Sequence, residues 1–497
     1  MERPPFTMFA GSDEGLAALD ELVGRSLAAV RAGLAERSGP LPTGGPLRVA
    51  ADPEVLDEAA FPEEGVGDVA ALEPLARAFA WGSVDLTHPA TAAFLQCPAL
   101  AVAAAADLVV SALNQSVDVW DSGPFAMELE QRVLRALCDL VGLPEGSAGV
   151  MTPGGSISNL LAVVLARDVA GSRLSGRDLS HGGPRESTGR LRVVCSRDSH
   201  VSVGRAVAAA GLGEDGAVVA EPDALGVMDV ASVKRALAAI PVGDLPCMLI
   251  ANAGTTDLGA IDRLEELSEL AARQGMWFHV DAAYGGGMLV SSRLRGRFAG
   301  IERADSVTID LHKMAWHPAS ASVLLVRREA DFAPLHREAP YLNPADDESA
   351  GLPNRLGRTL ETTRRADVLK VAAVFRAVGR RGLADLVDRC HDLARYTESL
   401  IIARTRLELA APVSLTRVVF RYLPGRPEQA DEVNAALRRR LLNEGRAVLG
   451  RTRRGERIFL KFTMINPLAT ERDIDELIAV VEEAGKEEER RVLLASR

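Results

Sequence analysis

Short runs rich in β-branched residues alternate with amphipathic helical segments between residues 148 and 327, and this alternation constrains the fold more than any other feature. Strands that alternate with helices favour a mostly parallel sheet covered by helices on both faces. The strand candidates are residues 191–196, 247–253, 276–281, 306–310 and 322–327, and the clearest intervening helix is 263–275. Such sheets bind ligands beyond the carboxyl ends of their strands, so functional residues are expected there.

The segments on either side of this region have different sequence patterns. Residues 12–37 carry a helical pattern closed by a stretch rich in glycine and proline, which indicates an N-terminal arm. The chain after about residue 380 mixes helices with two strand-like pieces. The predicted fold class is therefore α/β, with an N-terminal helical segment (1–97), a large domain with a mostly parallel sheet (98–380) and a small C-terminal α+β domain (381–497).

Composition excludes several classes of function. The net charge of −11 and the pI near 5.4 leave no basic surface for nucleic acid. No apolar run reaches the length of a membrane span, and the N-terminus lacks the pattern of a secretory signal, so a cytoplasmic protein is expected. The five cysteines are scattered and form no CxxC pair, which predicts buried thiols in a reducing compartment and no metal site.

Reactive side chains follow the predicted strands at their carboxyl ends. The strand 276–281 ends on Asp281, and the strand 306–310 leads to Lys313. The strand 191–196 leads to His200, and the strand 247–253 leads to two threonines. A carboxylate at the end of a buried strand is costly unless it meets a cation or a hydrogen-bond donor. These strand ends therefore offer an acid, an amine, an imidazole and hydroxyl groups.

A glycine-rich turn precedes these strands and opens directly into an apolar helix, in "TPGGSISNLLAVVLA" (152–166). Backbone N–H groups at a helix start, with the hydroxyl of Ser156, form a phosphate cradle. The stretch has neither the Gly-Lys-Ser/Thr of a Walker A loop nor the GxGxxG dinucleotide fingerprint. A phosphate cradle, a lysine, a carboxylate and an imidazole are together what pyridoxal phosphate requires.

The stretches "TPGGSISNLLAV", "SRDSHVSV", "NAGTTDLGAID", "HVDAAYGGG" and "DLHK" occur in this order, and the chain resembles the group II amino-acid decarboxylases, which are fold-type I pyridoxal-phosphate enzymes. The likeness runs from about residue 75 to about residue 475. It implies pyridoxal 5′-phosphate as cofactor and decarboxylation of an L-amino acid to the amine and CO2. It also implies a homodimer with the active site at the subunit interface.

The resemblance also implies roles for individual residues. Lys313 would bind the cofactor covalently as an imine, Asp281 would bind the pyridine nitrogen, and His200 would stack on the ring. The phosphate would be held by Gly155, Ser156 and His312, and the ring would be lined by Thr256 and Ala283. In similar enzymes a tyrosine on a mobile loop closes over the site and protonates Cα, and Tyr341 lies in the irregular stretch 329–363.

The segment "NQSVDVWDSGPF" resembles the subgroup that acts on diamino acids such as 2,4-diaminobutyrate, lysine or ornithine. Asp118 would there pair with the distal ammonium of the substrate. The chain departs from the subgroup at "SGPF" and at Met314. Structural roles for Tyr341 and Asp118 stay open. So do an aromatic or aliphatic amino-acid substrate and a related carbon–carbon lyase or aldehyde synthase.

Overall fold

The computed structural model describes residues 8–50, 61–184 and 189–495, which divide into two compact units. The larger unit comprises Leu95–His391 with Val413–Thr416, and the smaller comprises the described residues up to Phe94, Asp392–Pro412 and those from Arg417 onwards. The N-terminal and C-terminal segments thus share one unit, since strand β1 (Thr91–Ala92) pairs in parallel with Val448 and Leu449. The division at residues 97/98 and 380/381 remains a prediction. Residues 1–7, which bear on the expected absence of a secretory signal, lie outside the described part.

A seven-stranded sheet forms the centre of the larger unit. Its strands are β2 (Ala148–Thr152), β3 (Leu191–Ser196), β4 (Ala217–Ala220), β5 (Leu245–Asn252), β6 (Trp277–Asp281), β7 (Ser306–Asp310) and β8 (Ser322–Val326). The order is β2-β8-β7-β6-β5-β3-β4, and all neighbours are parallel except that β8 is antiparallel to both β2 and β7. Every residue of β6, β7 and β8 is buried, as in sheets covered on both faces. The mostly parallel sheet predicted from sequence is confirmed.

Helices connect these strands and cover the sheet. They span Ala101–Leu113, Pro124–Val141, Gly155–Ala166, Ser172–Ser175, Leu179–Gly182, Ser202–Val207, Val230–Ala238, Leu264–Gln274, Ala345–Ser349 and Val368–Ala377, and Gly379–Ile402 begins in this unit. The helix Leu264–Gln274 carries two glutamates in its first turn, which suit the helix dipole, and it stops at Gly275 in the left-handed conformation (φ 66°). Its leucines are buried and the helix packs against β5 and β6.

The smaller unit has a five-stranded sheet in the order β1-β11-β12-β10-β9. Its further strands are β9 (Leu407–Leu409), β10 (Arg417–Tyr422), β11 (Val448–Arg454) and β12 (Arg457–Thr463), and its helices are Asp13–Ala35, Gly45–Ala50, Asp68–Gly82, Ala430–Asn443 and Glu471–Ala495. Apart from β1 the pairing is antiparallel. The first helix begins as the sequence predicts, because the Ser12 side chain accepts a hydrogen bond from the Gly15 N–H at 2.9 Å. No helix in the described ranges is long and apolar enough to cross a bilayer.

A buried ion pair holds one segment of the larger unit in place. The guanidinium of Arg364 lies 2.9 Å from the Glu130 carboxylate, with both side chains only 4% exposed, and it also donates to the Val117 carbonyl at 2.7 Å. Removing the cation would leave a buried carboxylate without a counter-ion. We expect Arg364→Ala to lower the free energy of unfolding by about 3–5 kcal/mol. Urea denaturation followed by circular dichroism measures this loss.

The matched control for that variant is Arg273→Ala. Arg273 forms an exposed pair with Glu269 at 3.7 Å on a helix of the same unit. Such pairs contribute less than about 0.5 kcal/mol. Equal losses in the two variants would contradict the stabilising role of the buried arginine.

A buried histidine makes the stability dependent on pH. His317 is 1% exposed, and its Nδ1–H donates to the Leu311 carbonyl at 3.2 Å. Burial lowers the pKa of His317 to about 4, whereas an unfolded histidine titrates near 6.5. The unfolded chain therefore binds more protons between these values, so stability is complete above about pH 6.5 and is lost as the pH falls toward 4.

We expect this group to lower the free energy of unfolding by about 2 kcal/mol on going from pH 7.5 to pH 5. Urea denaturation at the two pH values measures the change. In His317→Leu the difference between the two pH values should shrink by that amount. An unchanged pH dependence in the variant would contradict the assignment.

Candidate active site at the carboxyl ends of the strands

A cavity of about 240 Å³ in the larger unit is lined by residues that end or follow strands β2, β3, β5, β6 and β7. All the residues predicted to bind the cofactor lie on its wall, namely Gly155, Ser156, His200, Thr256, Asp281, Ala283, His312 and Lys313. The fold thus brings together side chains that are far apart in the sequence. Their assigned roles remain proposals.

The helix Gly155–Ala166, here called the cradle helix, begins at this cavity. Its N-cap residue is Gly154, and no side chain caps its first N–H groups. A Cβ added to Gly155 would lie 3.0 Å from Asp310 Oδ1, closer than ordinary van der Waals contact, so only glycine leaves this approach open. An uncapped helix N-terminus has N–H groups that can bind a phosphate group.

Lys313 and His312 converge on one buried carboxylate, that of Asp310 (3% exposed). Lys313 Nζ lies 2.8 Å from Asp310 Oδ2, and His312 Nε2 lies 3.6 Å from the same oxygen. His312 is oriented by its Nδ1–H, which donates to the Ala321 carbonyl at 2.8 Å. Asp310 Oδ1 has no hydrogen-bond partner among the described residues. An amine, an imidazole and an open helix start fit a phosphorylated aldehyde, because the amine can form an imine with the aldehyde and the other two groups can hold the phosphate.

Two hydrogen bonds hold the carboxylate of Asp281 at the cavity wall. It is 7% exposed, Oδ2 accepts a hydrogen bond from Asn159 Nδ2 at 2.8 Å, and Oδ1 accepts one from the Ala283 N–H at 3.1 Å. These two N–H donors fix the orientation of the carboxylate. The group is therefore built to pair with a protonated nitrogen.

His200 stands at the exposed mouth of the cavity, with its Nδ1 2.8 Å from Ser202 Oγ. Partial loss of water lowers the pKa of His200, and the neighbouring Asp281 opposes this shift. His200 is thus largely neutral at pH 7. Of the two threonines after β5, Thr256 is exposed at the cavity wall, whereas the buried Thr255 hydroxyl accepts from the Ala260 N–H at 3.0 Å and holds the turn.

Tyr341 and Asp118 are not among the residues that line the cavity. Tyr341 is 85% exposed, and Asp118 is 7% exposed with its carboxylate turned to local donors, the Val119 N–H (2.9 Å) and the Ser122 hydroxyl. Burial raises the pKa of Asp118, but these hydrogen bonds outweigh it and the net shift is downward. The roles of Tyr341 and Asp118 in the reaction therefore stay predictions.

The cavity wall also includes residues that the sequence reasoning did not assign, chiefly Asn159, Ser202 and Asp310. Asn159 lies four residues after Gly155 in the cradle helix and therefore on the same helical face, which is a signal that the sequence contains. No group of three or more His, Cys, Asp or Glu in the described ranges is arranged to hold a metal ion.

Residues 54–423 match the family model for the pyridoxal-dependent decarboxylase conserved domain. The chain belongs to this family. The L-2,4-diaminobutyrate decarboxylase of Rhizobium meliloti (strain 1021) is 41% identical to this decarboxylase over 429 residues, covering 86% of this chain and 84% of that protein. The L-2,4-diaminobutyrate decarboxylase of Acinetobacter baumannii is 34% identical over 429 residues, covering 84% of each.

A solved structure agrees with these matches. The glutamate decarboxylase domain of diaminobutyrate-pyruvate transaminase and L-2,4-diaminobutyrate decarboxylase from Vibrio parahaemolyticus superposes on this decarboxylase with a TM-score of 0.87 at 31% identity, covering 96% of this chain and 97% of that chain. The predicted family, fold class, enzyme class and cofactor are thereby confirmed. This protein is a pyridoxal-phosphate-dependent amino-acid decarboxylase.

Proposed function

We propose that this decarboxylase converts an L-diamino acid, with 2,4-diaminobutyrate as the first candidate and lysine or ornithine as others of the class, to the corresponding amine and CO2. The observation that carries the proposal is the 41% identity, over 86% of this chain, to a protein named L-2,4-diaminobutyrate decarboxylase. The cavity that holds the predicted cofactor residues agrees with decarboxylation in general. The likeness of "NQSVDVWDSGPF" to the diamino-acid subgroup supports the finer choice.

Each of the predicted cofactor residues in the cavity has a proposed role in the reaction. Bound pyridoxal phosphate supplies an electron-accepting ring for the pair of electrons released at Cα when the carboxylate leaves. Lys313 would hold the cofactor covalently, and Asp281 would bind its pyridine nitrogen. His200 would stack on the ring, Thr256 and Ala283 would line it, and Gly155, Ser156 and His312 would hold the phosphate.

Tyr341 is proposed to donate the proton that returns to Cα. Its side chain is exposed, so its loop would have to close for the side chain to reach the active-site cavity. Closure would also exclude water from the reacting centre.

We further propose a cytoplasmic homodimer with the active site at the subunit interface. An apolar groove of about 650 Å³ in the smaller unit, lined by Leu72, Phe79 and Trp81 among others, is the kind of surface that protein partners cover. The five cysteines are buried free thiols, which suits a reducing compartment.

The substrate proposal is tested with the cofactor-loaded enzyme and a panel of L-amino acids. The panel contains 2,4-diaminobutyrate, ornithine, lysine, glutamate, valine, tyrosine and tryptophan, and CO2, amine and aldehyde are measured. The highest kcat/KM is expected for a diamino acid. Preference for an aromatic or apolar acid would reject the diamino assignment and leave decarboxylation in place. Release of aldehyde, or no CO2 from any substrate, would favour the aldehyde synthase or lyase alternatives.

Asp118→Asn tests the contact to the distal ammonium, with Asp121→Asn as the matched control. Asp121 is an exposed carboxylate in the same segment. Asp118→Asn is expected to raise KM for the diamino acid about tenfold or more and to leave the KM of an apolar acid unchanged. A parallel rise for both substrates would mean that Asp118 acts only by holding its own turn.

Tyr341→Phe is expected to lower amine release about 100-fold, since a positioned general acid contributes about 10²–10⁴ in rate, and to increase the aldehyde fraction. Amine and aldehyde are quantified by chromatography. Tyr396→Phe is the control, because the Tyr396 hydroxyl lies 3.1 Å from Asp475 in the smaller unit and has no proposed part in the reaction. Wild-type product ratios in Tyr341→Phe would contradict the assignment.

Mixed dimers test whether Tyr341 acts across the proposed interface. Lys313→Ala and Tyr341→Phe chains, each expected to release amine at no more than about 1% of the wild-type rate, are unfolded, mixed and refolded together. If each site uses the partner's tyrosine, one site of every mixed dimer is complete, and random pairing restores about a quarter of wild-type activity. If the mixture stays inactive although mixed dimers form, the tyrosine acts within its own chain.

A further inference from the structure

We propose that Asn159 is a positioning residue, the centre of a buried hydrogen-bond relay that keeps Asp281 as an acceptor-only carboxylate and keeps the proton of His200 on Nε2. This inference rests on the roles of Asp281 and His200 in the proposed function. The relay residues are all at most 4% exposed: Asn159, Ser202, Trp277, His279, Ser306 and Thr308. In buried polar chains of this kind, carboxylate, amide and indole groups have fixed donor or acceptor atoms, and these atoms set the direction of the hydrogen bonds made by hydroxyls and imidazoles.

The orientation of the Asn159 amide follows from its partners. Nδ2 lies 2.8 Å from Asp281 Oδ2, and an ionised carboxylate can only accept, so the NH2 group must face Asp281. Oδ1 then faces His279 Nε2 at 3.1 Å and the Thr308 hydroxyl at 3.1 Å. An amide oxygen only accepts, so His279 carries its proton on Nε2 and Thr308 donates.

The far end of the relay agrees with the same direction. The indole N–H of Trp277 can only donate, and it donates to Ser306 Oγ at 2.8 Å. The Ser306 hydroxyl is then free to donate to His279 Nδ1 at 2.7 Å, which must be unprotonated if Nε2 bears the single proton. Burial lowers the pKa of His279 to about 4, so the ring carries one proton at neutral pH. The Asn159 oxygen therefore sets the tautomer of His279, and the Ser306 hydroxyl can donate to the remaining nitrogen.

A second branch of the relay reaches His200. The other hydrogen of Asn159 Nδ2 points to Ser202 Oγ at 3.1 Å, so this oxygen accepts and its own hydrogen is directed to His200 Nδ1 at 2.8 Å. The Ser202 backbone N–H also lies 3.3 Å from that nitrogen. Two donors at Nδ1 leave the proton of a neutral His200 on Nε2. One amide thus sets the hydrogen bonding of the pyridine partner and of the ring-stacking residue.

The relay has a consequence for cofactor binding. A protonated pyridine nitrogen needs an acceptor-only partner, and the Asn159 donor holds the Asp281 carboxylate in place for that role. Without this donor the carboxylate keeps only its hydrogen bond from the Ala283 N–H and is held less firmly. The other titratable groups facing this region are His200, Tyr284, Asp310, His312 and Lys313 on the cavity wall, with His279 behind Asn159.

The test measures the cofactor and needs no substrate. Apo Asn159→Ala and wild-type chains are titrated with pyridoxal phosphate by fluorescence, and the absorption of the bound cofactor is recorded against pH. Asn159→Ala is expected to raise the cofactor Kd about tenfold or more and to shift the pH midpoint of the absorption change. The control is Ser322→Ala, a hydroxyl as deeply buried that donates to the Ile309 carbonyl at 3.1 Å outside the relay.

Ser202→Ala keeps the test decisive if Asn159→Ala does not fold, since only one hydroxyl at the cavity wall is removed. It is expected to leave the cofactor Kd within about threefold of wild type and to move the pH midpoint of the absorption by about half a unit or more. Wild-type Kd and midpoint in folded Asn159→Ala, or a midpoint in Ser202→Ala equal to that of Ser322→Ala, would overturn the relay. Failure to release CO2 from any amino acid would instead reject the proposed function and leave these measurements unaffected.

Discussion

Lys313→Ala is expected to reduce amine release by at least about 10³-fold, because no other lysine among the described residues lines the cavity and could bind the cofactor covalently. The side chain is positioned by its ion pair with Asp310 at 2.8 Å. Activity is measured with a saturating diamino acid under cofactor excess. Lys234→Ala, which changes an exposed lysine on the helix Val230–Ala238, serves as the control.

A covalent test accompanies the kinetic one. Borohydride reduction of the wild-type holoenzyme, followed by peptide mass mapping, is expected to place the cofactor mass on the peptide that contains Lys313. The Lys313→Ala variant should carry no such mass while still binding the cofactor weakly. Cofactor mass on a different lysine, or a variant that retains a tenth or more of the activity, would contradict the assignment.

Asp281→Asn is expected to lower kcat by about 10²-fold and to weaken cofactor binding, because the variant lacks the charge that favours a protonated pyridine nitrogen. An asparagine would in addition turn an NH2 group or a single oxygen toward the donors Asn159 and Ala283. The cofactor Kd, the absorption spectrum and kcat are measured together.

Asp305→Asn is the matched control for Asp281→Asn. Asp305 is also a carboxylate beside the central sheet, and it accepts a hydrogen bond from the Phe278 N–H at 2.8 Å. It is not among the cavity-lining residues. A comparable loss of stability is expected in both variants, with loss of cofactor affinity in Asp281→Asn alone. Equal cofactor affinities in the two variants would reject the role of Asp281.

The central strands of the larger unit were predictable because each is a short apolar run bounded by turn residues. The predicted strands 191–196 and 306–310 coincide with β3 and β7, and the others differ by one or two residues at their ends. Strands β2 and β4 were not predicted. β4 has partly exposed positions, and β2 is identified as a strand only through its pairing with β8.

Non-local pairing also explains what the sequence does not specify about the domains. The parallel pair between β1 and β11 joins segments from opposite ends of the chain, and no local pattern encodes such a partner. The antiparallel direction of β8 is likewise invisible in its apolar run, since buried strands look alike in either direction.

The grouping of the proposed cofactor residues around one cavity was predictable from ordered motifs at strand ends, whereas the supporting hydrogen bonds were not. The helical spacing of Asn159 from Gly155 places both residues on one face, but the hydrogen-bond partners His279 and Thr308 come from strands β6 and β7. The role of a polar residue on a buried helical face can be assigned only when its hydrogen-bond partners are known. Asp118 and Tyr341 depend on a substrate and on loop closure, so their roles stay predictions.

The position of β8 has a consequence for the order in which the sheet is completed during synthesis. Strand β2, which leads into the cradle helix, pairs in the sheet with β8 alone. The ribosome therefore releases β2 long before the strand that pairs it with the rest of the sheet. Until residues 322–326 have emerged, β2 has no partner in the sheet, and the cradle helix is held only by its packing against the remainder of the larger unit.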